Sequence, residues 1–122
     1  MTESNTDADV FGQIGHVMKL FRELKQMPLP TTAVSMFCAI AANEGQSVAK
    51  YARVVNSDFN NAGRAIADLS DVDRYGNTGL GFVQKRQGED GRVMLCFLTP
   101  KGRAFANRIA SVMDRQPVKL AA

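Results

Sequence analysis

The residues able to do covalent or metal chemistry are few, and their spacing argues against catalysis. His16 is the only histidine and has no cysteine near it, so no nucleophile–base pair is indicated. Cys38 and Cys96 lie inside the apolar runs Met36–Ile40 and Met94–Leu98, out of CxxC spacing. They read as small buried hydrophobes rather than zinc ligands or a redox pair. Asp71 and Asp73 share one short segment, which without companion groups is a turn and not a catalyst. No HExxH, EF-hand, Walker or GxSxG pattern occurs. The expectation is a chain with no enzymatic activity, cofactor or metal.

A different chemistry is better represented. Asp58, Asn60, Asn61 and Arg64 crowd into seven residues, and asparagine and arginine can each form paired hydrogen bonds to base edges. Basic residues gather further on: Lys85, Arg86, Arg92, Lys101, Arg103 and Arg108 face only Glu89 and Asp90 between Phe82 and Arg108. The first nine residues hold Glu3, Asp7 and Asp9 and no base, so the net charge of +3 understates the rest of the chain. Such a local excess suits a polyanion better than a neutral ligand, with an ordinary solvated surface as the competing reading.

These groups must be positioned by a fold of modest size. The 122 residues, 45% hydrophobic, suit one compact domain with a real core. Residues 1–8 read as a flexible tail, with Asp9 capping a helix over 9–27. Phe11, Ile14, Val17, Met18, Phe21 and Leu24 recur there at helical spacing, and Pro28 and Pro30 end it. Thr31 or Thr32 caps the next helix, whose inner face is Val34, Phe37, Cys38, Ile40 and Ala41; Gly45 stops it in the left-handed conformation. Ser47 caps a short helix carrying Val48, Tyr51, Ala52 and Val55. Asn56 and Ser57 then supply a turn and a cap for a fourth helix, with Phe59, Ala62, Ile66 and Leu69 inward. Its outer positions are Asp58, Asn60, Asn61, Gly63, Arg64, Ala67 and Asp68. Short helix, tight turn and longer helix make a helix-turn-helix pattern.

Residues 70–81 are rich in turn formers and read as a loop; a phosphate cradle is the other possibility, but the GxxxxGK[ST] pattern is absent. Two strands follow, Phe82–Arg86 and Arg92–Leu98, joined by a turn at Asp90-Gly91. The second is apolar on both faces, which predicts that the sheet packs on both sides or lies partly against a helix. Thr99 caps the last helix and Pro100 occupies its first position; Phe105, Ile109, Val112 and Met113 form its stripe. The predicted class is mainly α with a small β hairpin, a winged helix-turn-helix over 31–98. A C-terminal helix over 99–116 completes it, followed by a tail over 117–122.

From Thr31 to Ile109 the chain resembles the MarR family of winged-helix transcriptional regulators. The resemblance is sharpest in GEDGRVMLCFLTPKGRAFANRI, where Asp90, Arg92, Leu98, Thr99 and Gly102 match the family's wing followed by Leu-Thr-x-x-Gly. SVAKYARVVNSDFNNAGRAIADL is similar to its helix-turn-helix, with the recognition helix from Ser57 to Leu69, and FVQKR is similar to the strand entering the wing. The resemblance implies a homodimer on pseudo-palindromic duplex DNA, with recognition helices in major grooves, wings near minor grooves and terminal helices at the dimer interface. Two departures stand out. Gly79-Leu80 follows roughly half a dozen more residues than the family's short connection to the wing, and the chain ends soon after its final helix.

On this reading Asn60, Asn61, Arg64 and Asp58 contact bases, since early recognition-helix residues lie deepest in the major groove. Ser47, Lys50, Arg53, Ser57, Lys85, Arg86 and Arg92 contact the DNA backbone or minor groove, and Asp90 with Arg92 braces the wing. Ile14, Val17, Met18, Phe21, Leu24, Ile109, Val112 and Met113 are the expected dimer interface, with cover of the monomer core as the competing role. A winged helix can instead bind protein, so the alternative is an interaction module acting on a transcription, replication or phage or plasmid protein. No signal peptide or membrane-length apolar run is expected, which places the protein in the cytoplasm, with no membrane partner.

Overall fold

The structure is a computed structural model that describes residues 7–24 and 29–114. Five helices and three strands follow in the order α1 (Asp7–Arg22), α2 (Thr31–Ala42), β1 (Gln46–Ser47), α3 (Val48–Val54), α4 (Phe59–Leu69), β2 (Val83–Gln87), β3 (Met94–Leu98) and α5 (Pro100–Met113). The chain divides into two compact units. One runs from Leu29 to Phe105; the other joins the N-terminal segment to the residues from Ala106 onward.

The first unit is a winged helix, as the sequence predicts. Packing of α2 against α4 and of α3 against α4 builds the helical layer. Met36, Phe37 and Ile40 of α2 meet a core that also holds Tyr51, Ala62, Ile66 and Leu69, all buried. The small residues Ala52, Ala62 and Ala65 are buried where crossed helices approach each other. Phe37, Phe82 and Phe105 form an aromatic cluster, with Phe82 stacked on Phe105 at 4.9 Å and Phe37 tilted against both at 5.6 Å.

Helix boundaries follow local chemistry with several corrections. Neither Thr31 nor Thr32 caps α2: Pro30 is the N-cap and no side chain bonds into the first turn. On α2, Cys38 and Ala41 are exposed, and Ala33 and Met36 take the inward places. Cys96, by contrast, is buried as expected, and burial pushes its thiol pKa up to about 11. Gly45 has φ +87°, the left-handed stop anticipated for it. Ser47 Oγ accepts from Lys50 N at 3.2 Å, so this serine is the α3 cap. The α3–α4 turn places Asn56 at φ 58°, a region asparagine tolerates. The α4 cap is Asp58, one residue later than expected, and Ser57 Oγ donates to the Asp58 carbonyl instead.

The sheet has three antiparallel strands, in the order β1-β3-β2, where the sequence suggests only the hairpin. The additional strand is two residues long, Gln46 facing Cys96 and Ser47 facing Leu95, too short to carry a periodicity. In the hairpin Val83 pairs with Leu98 and Gln87 with Met94. On one face of β3 Cys96 and Leu98 are buried and Met94, at the strand's start, is exposed, while Leu95 and Phe97 on the other face are half-buried. On the other face the Arg86 guanidinium lies 4.4 Å from the centre of the Phe97 ring.

The Leu-Thr-x-x-Gly segment has a mechanical explanation. Leu98 is in the core. Thr99 Oγ1 accepts from Gly102 N at 3.0 Å, capping α5, and donates to Gly81 O at 2.6 Å. A Cβ at Gly102 would collide with the carbonyl of Phe82, so only glycine allows the first turn of α5 to approach the start of β2. Glu44, which the sequence does not single out, ties the same corner together. It accepts from Leu98 N at 2.8 Å and pairs with Arg103 at 3.1 Å.

In the second unit α1 begins at Asp7, so Asp9 lies in its first turn and is not its cap, and the helix ends at Arg22 rather than at 27. Of the stretches expected as tails, 1–8 and 117–122, residues 1–6 and 117–122 lie outside the described residues, whereas Asp7 and Ala8 belong to α1. Gln13 Nε2 donates to Met113 O at 3.3 Å, linking α1 to the end of α5. Of the residues expected at a dimer interface, Phe21 and Val112 are buried within the chain. Val17, Met18, Leu24 and Ile109 are half-buried, and Ile14 and Met113 are exposed, as is Phe11.

Candidate nucleic-acid interface

The outward side of α4 carries a connected row of polar groups one turn apart. Asp58 Oδ1 accepts from Asn61 N at 2.7 Å, and Asp58 Oδ2 accepts from Asn61 Nδ2 at 2.8 Å. Asn61 Oδ1 in turn accepts from the Arg64 guanidinium at 3.3 Å. The i, i+3, i+6 spacing puts these side chains on one helical stripe, where neighbouring groups can touch. The relay uses one capping carboxylate to orient an amide, and that amide to orient a guanidinium whose remaining donors stay at the surface. All three residues are exposed, as is Asn60 beside them.

Two shallow depressions flank this row. A polar one of about 290 Å³ is lined by Thr31, Thr32, Ser35, Val55, Asn56, Ser57, Asp58 and Asn61, so hydroxyls from the start of α2 gather beside the start of α4. The other, of about 370 Å³, is lined by Phe59, Asn60, Gly63, Arg64, Ala67 and Arg74. Two of its residues escape sequence reasoning. Phe59, assigned to the core by its spacing, is 61% exposed. It is the first residue of α4, where no preceding turn stands to cover it; setting the cap at Asp58 would have revealed this. Arg74 comes from the long connection, for which no periodic signal exists.

That connection is an ordered excursion. Leu80 N donates to Asp68 O, Gly81 N to Ser70 O, and Phe82 N to Leu69 O, so its two ends are laced together at the exit of α4. Val72 and Thr78 form a bridge beyond them, and Asp73 Oδ1 accepts from Tyr75 N and Asn77 N, both at 2.9 Å, closing the tip. Asp68, expected on the outer face, is only 5% exposed and binds Arg74. Tyr75 at the tip is 78% exposed.

The wing brings a second set of cations to the surface. Lys85, Arg86 and Arg92 are exposed, as are Lys50 and Arg53 on α3. Ser47, Leu95 and Arg86 lie side by side across the three strands. The expected Asp90–Arg92 brace is present in a different form: Asp90 Oδ1 accepts from the Arg92 backbone N–H at 3.0 Å. The turn is thus held through the main chain, as a short aspartate side chain permits, with the bond made by Arg92 coming from its amide and not its guanidinium. Gly91 at φ +72°, a 2.7 Å bond from Gln87 Nε2 to Gly91 O and a 2.7 Å bond from Gly88 N to Val93 O complete the tip.

Among the described residues no group of three His, Cys, Asp or Glu side chains is arranged to hold a metal ion. None of the described helices is long and apolar enough to cross a membrane.

Helices α3 and α4 with a hairpin wing define a winged helix-turn-helix, and the chain has the fold of MarR-family transcriptional regulators. A MarR-family regulator from Silicibacter pomeroyi superposes with a TM-score of 0.58 at 21% identity, covering 85% of this chain and 66% of that one. A MarR regulator from Methanosarcina mazei Go1 gives 0.63 at 20% identity, covering 85% and 67%. The transcriptional repressor CouR, solved bound to a 23-mer DNA duplex, gives 0.58 at 20% identity, covering 91% and 75%. The chain thus spans about two-thirds of the length of the first two. No family model and no curated protein matches the sequence.

Proposed function

We propose that this chain is a transcriptional regulator that binds double-stranded DNA sequence-specifically as a homodimer. The observation that carries the reading is the Asp58–Asn61–Arg64 relay on the open side of α4, in the same unit as a cation-bearing wing. The repressor CouR, whose fold this chain shares, is solved on a duplex. Arg64, Asn60 and Asn61 read base edges, and Asp58, both of whose oxygens are engaged by Asn61, acts chiefly by orienting it. Lys50, Arg53, Lys85, Arg86 and Arg92 supply phosphate or minor-groove contacts, joined by Ser47 and Ser57 near the helix starts. Exposed Phe11, Ile14 and Met113 supply the open apolar area of a two-fold interface that also draws on Val17, Met18, Leu24 and Ile109. No catalytic role, cofactor or metal is assigned.

The test is selection of bound sequences from a random duplex pool, followed by titration at two salt concentrations. A DNA reader enriches a two-fold-symmetric site and loses affinity steeply as salt rises. Exposed Val72 and Tyr75 favour a second reading, a protein-binding module whose partner docks on the excursion after α4. Failure to enrich any duplex at low salt would decide for it.

A further inference from the structure

Phe59 and Gly63 make sense together. Phe59 opens α4 with its ring in solvent, and Gly63 sits one turn later on the same side, both lining the 370 Å³ depression. Glycine weakens a helix interior relative to alanine, so one at this place asks for a reason. Packing is not the reason, because a Cβ built at Gly63 meets nothing within 4 Å. What the missing side chain does is keep the depression open beside the ring. The neighbours Asn60 and Arg64 carry hydrogen-bonding groups, and Arg74, held by Asp68, lines the same depression.

Resting on the DNA-binding reading above, we infer that Phe59 and Gly63 form a slot for the 5-methyl group of a thymine. Every polar feature of a base edge in the major groove needs a donor or acceptor, and a phenyl ring offers neither. The thymine methyl is the one apolar feature there that a ring can recognise. Asn60 and Arg64 read the polar edges on either side, so the slot adds discrimination of thymine from cytosine at one position per half-site. Phe59 is then a specificity-determining residue.

The experiment uses the full chain and a duplex selected from the random pool, with each thymine replaced singly by deoxyuridine. Removing a methyl that is buried on binding weakens the wild type about three- to fivefold at one position in each half-site. Phe59→Ala binds the thymine and uracil duplexes equally. Gly63→Ala places a methyl in the open space beside the ring; it raises the melting temperature and also lowers the thymine preference, which separates loss of reading from loss of fold. The inference is overturned if every uracil substitution is neutral for the wild type, or if the penalty persists undiminished in Phe59→Ala. A pool from which no duplex is selected removes the DNA-binding reading itself, and the slot with it; the two failures are therefore distinct.

Discussion

Asp68 and Arg74 make a three-point clasp across the exit of α4. The Arg74 guanidinium reaches Asp68 Oδ2 through Nε at 3.0 Å and through a terminal nitrogen at 2.8 Å, while Arg74 N donates to Asp68 Oδ1 at 3.2 Å. The carboxylate is nearly inaccessible and the guanidinium is partly open to solvent. A charge removed from water in this way is tolerable only while its partner and hydrogen bonds are present. The clasp therefore ties a connection of roughly a dozen residues back to the end of α4.

Removing Arg74 leaves the Asp68 carboxylate buried without its counter-charge. Arg74→Ala is expected to destabilise the fold by about 2 kcal/mol, below the full cost of a broken buried pair because the arginine is partly solvated. The midpoint of urea unfolding measures it. Asp68→Asn, which keeps an acceptor but loses the charge, should cost less. An Arg74→Ala midpoint equal to wild type would show that the clasp adds nothing to stability.

The wing and the recognition helix should fail differently. Arg92→Ala is expected to weaken binding to all duplexes alike and to reduce the slope of log affinity against log salt by about one. Arg64→Ala should leave that slope less affected in proportion and change the preferred base at one position, by about 1–3 kcal/mol of discrimination. Binding isotherms on the selected site and on single-base variants separate the two. Equal behaviour of the two variants would contradict the division of roles.

Glu44 gives the fold an acid-sensitive corner. The hydrogen bond from Leu98 N, followed by the Arg103 contacts, holds its carboxyl below the ordinary carboxylate value of 4.5. A carboxyl depressed in the folded state contributes stability that is fully present above the unfolded value and is lost as pH falls through the folded one. The difference in melting temperature between wild type and Glu44→Gln should therefore be largest above about pH 5 and shrink below pH 4. A difference that stays constant across that window would contradict the assignment.

A charge placed on the open apolar surface of the second unit tests the dimer. Ile14→Lys is expected to convert a concentration-dependent dimer to a monomer and to reduce affinity for a two-fold site far more than for a half-site. Sedimentation equilibrium reads the mass directly. A wild type that sediments as a monomer at all concentrations would remove the dimer from the reading.

Local chemistry is legible wherever a residue acts on its own near neighbours. Ser47 and Thr99 as caps, Gly45 as a left-handed stop and the turn at Asp90-Gly91 depend on contacts within a few residues, which the order of the chain fixes. The apolar periodicity of 62, 66 and 69 likewise announces the inner side of α4, and all three are buried. Where two residues compete for one local role, spacing alone misleads: Ser57 and Asp58 can both cap, and choosing the first hides the exposure of Phe59.

The order of elements, the winged helix and the clustering of Asp58, Asn60, Asn61 and Arg64 are consequences of periodicity, capping and turn chemistry, all of them short-range and written in consecutive residues. Only the folded chain decides that Gln46 and Ser47 add a strand, that Glu44 reaches Leu98 and Arg103, that Asp68 turns inward to hold Arg74, and that Phe59 stands open beside Gly63. Most of those relationships join groups distant along the chain or depend on what fails to cover a side chain. Both conditions belong to the arrangement of elements in space, which no window of sequence contains.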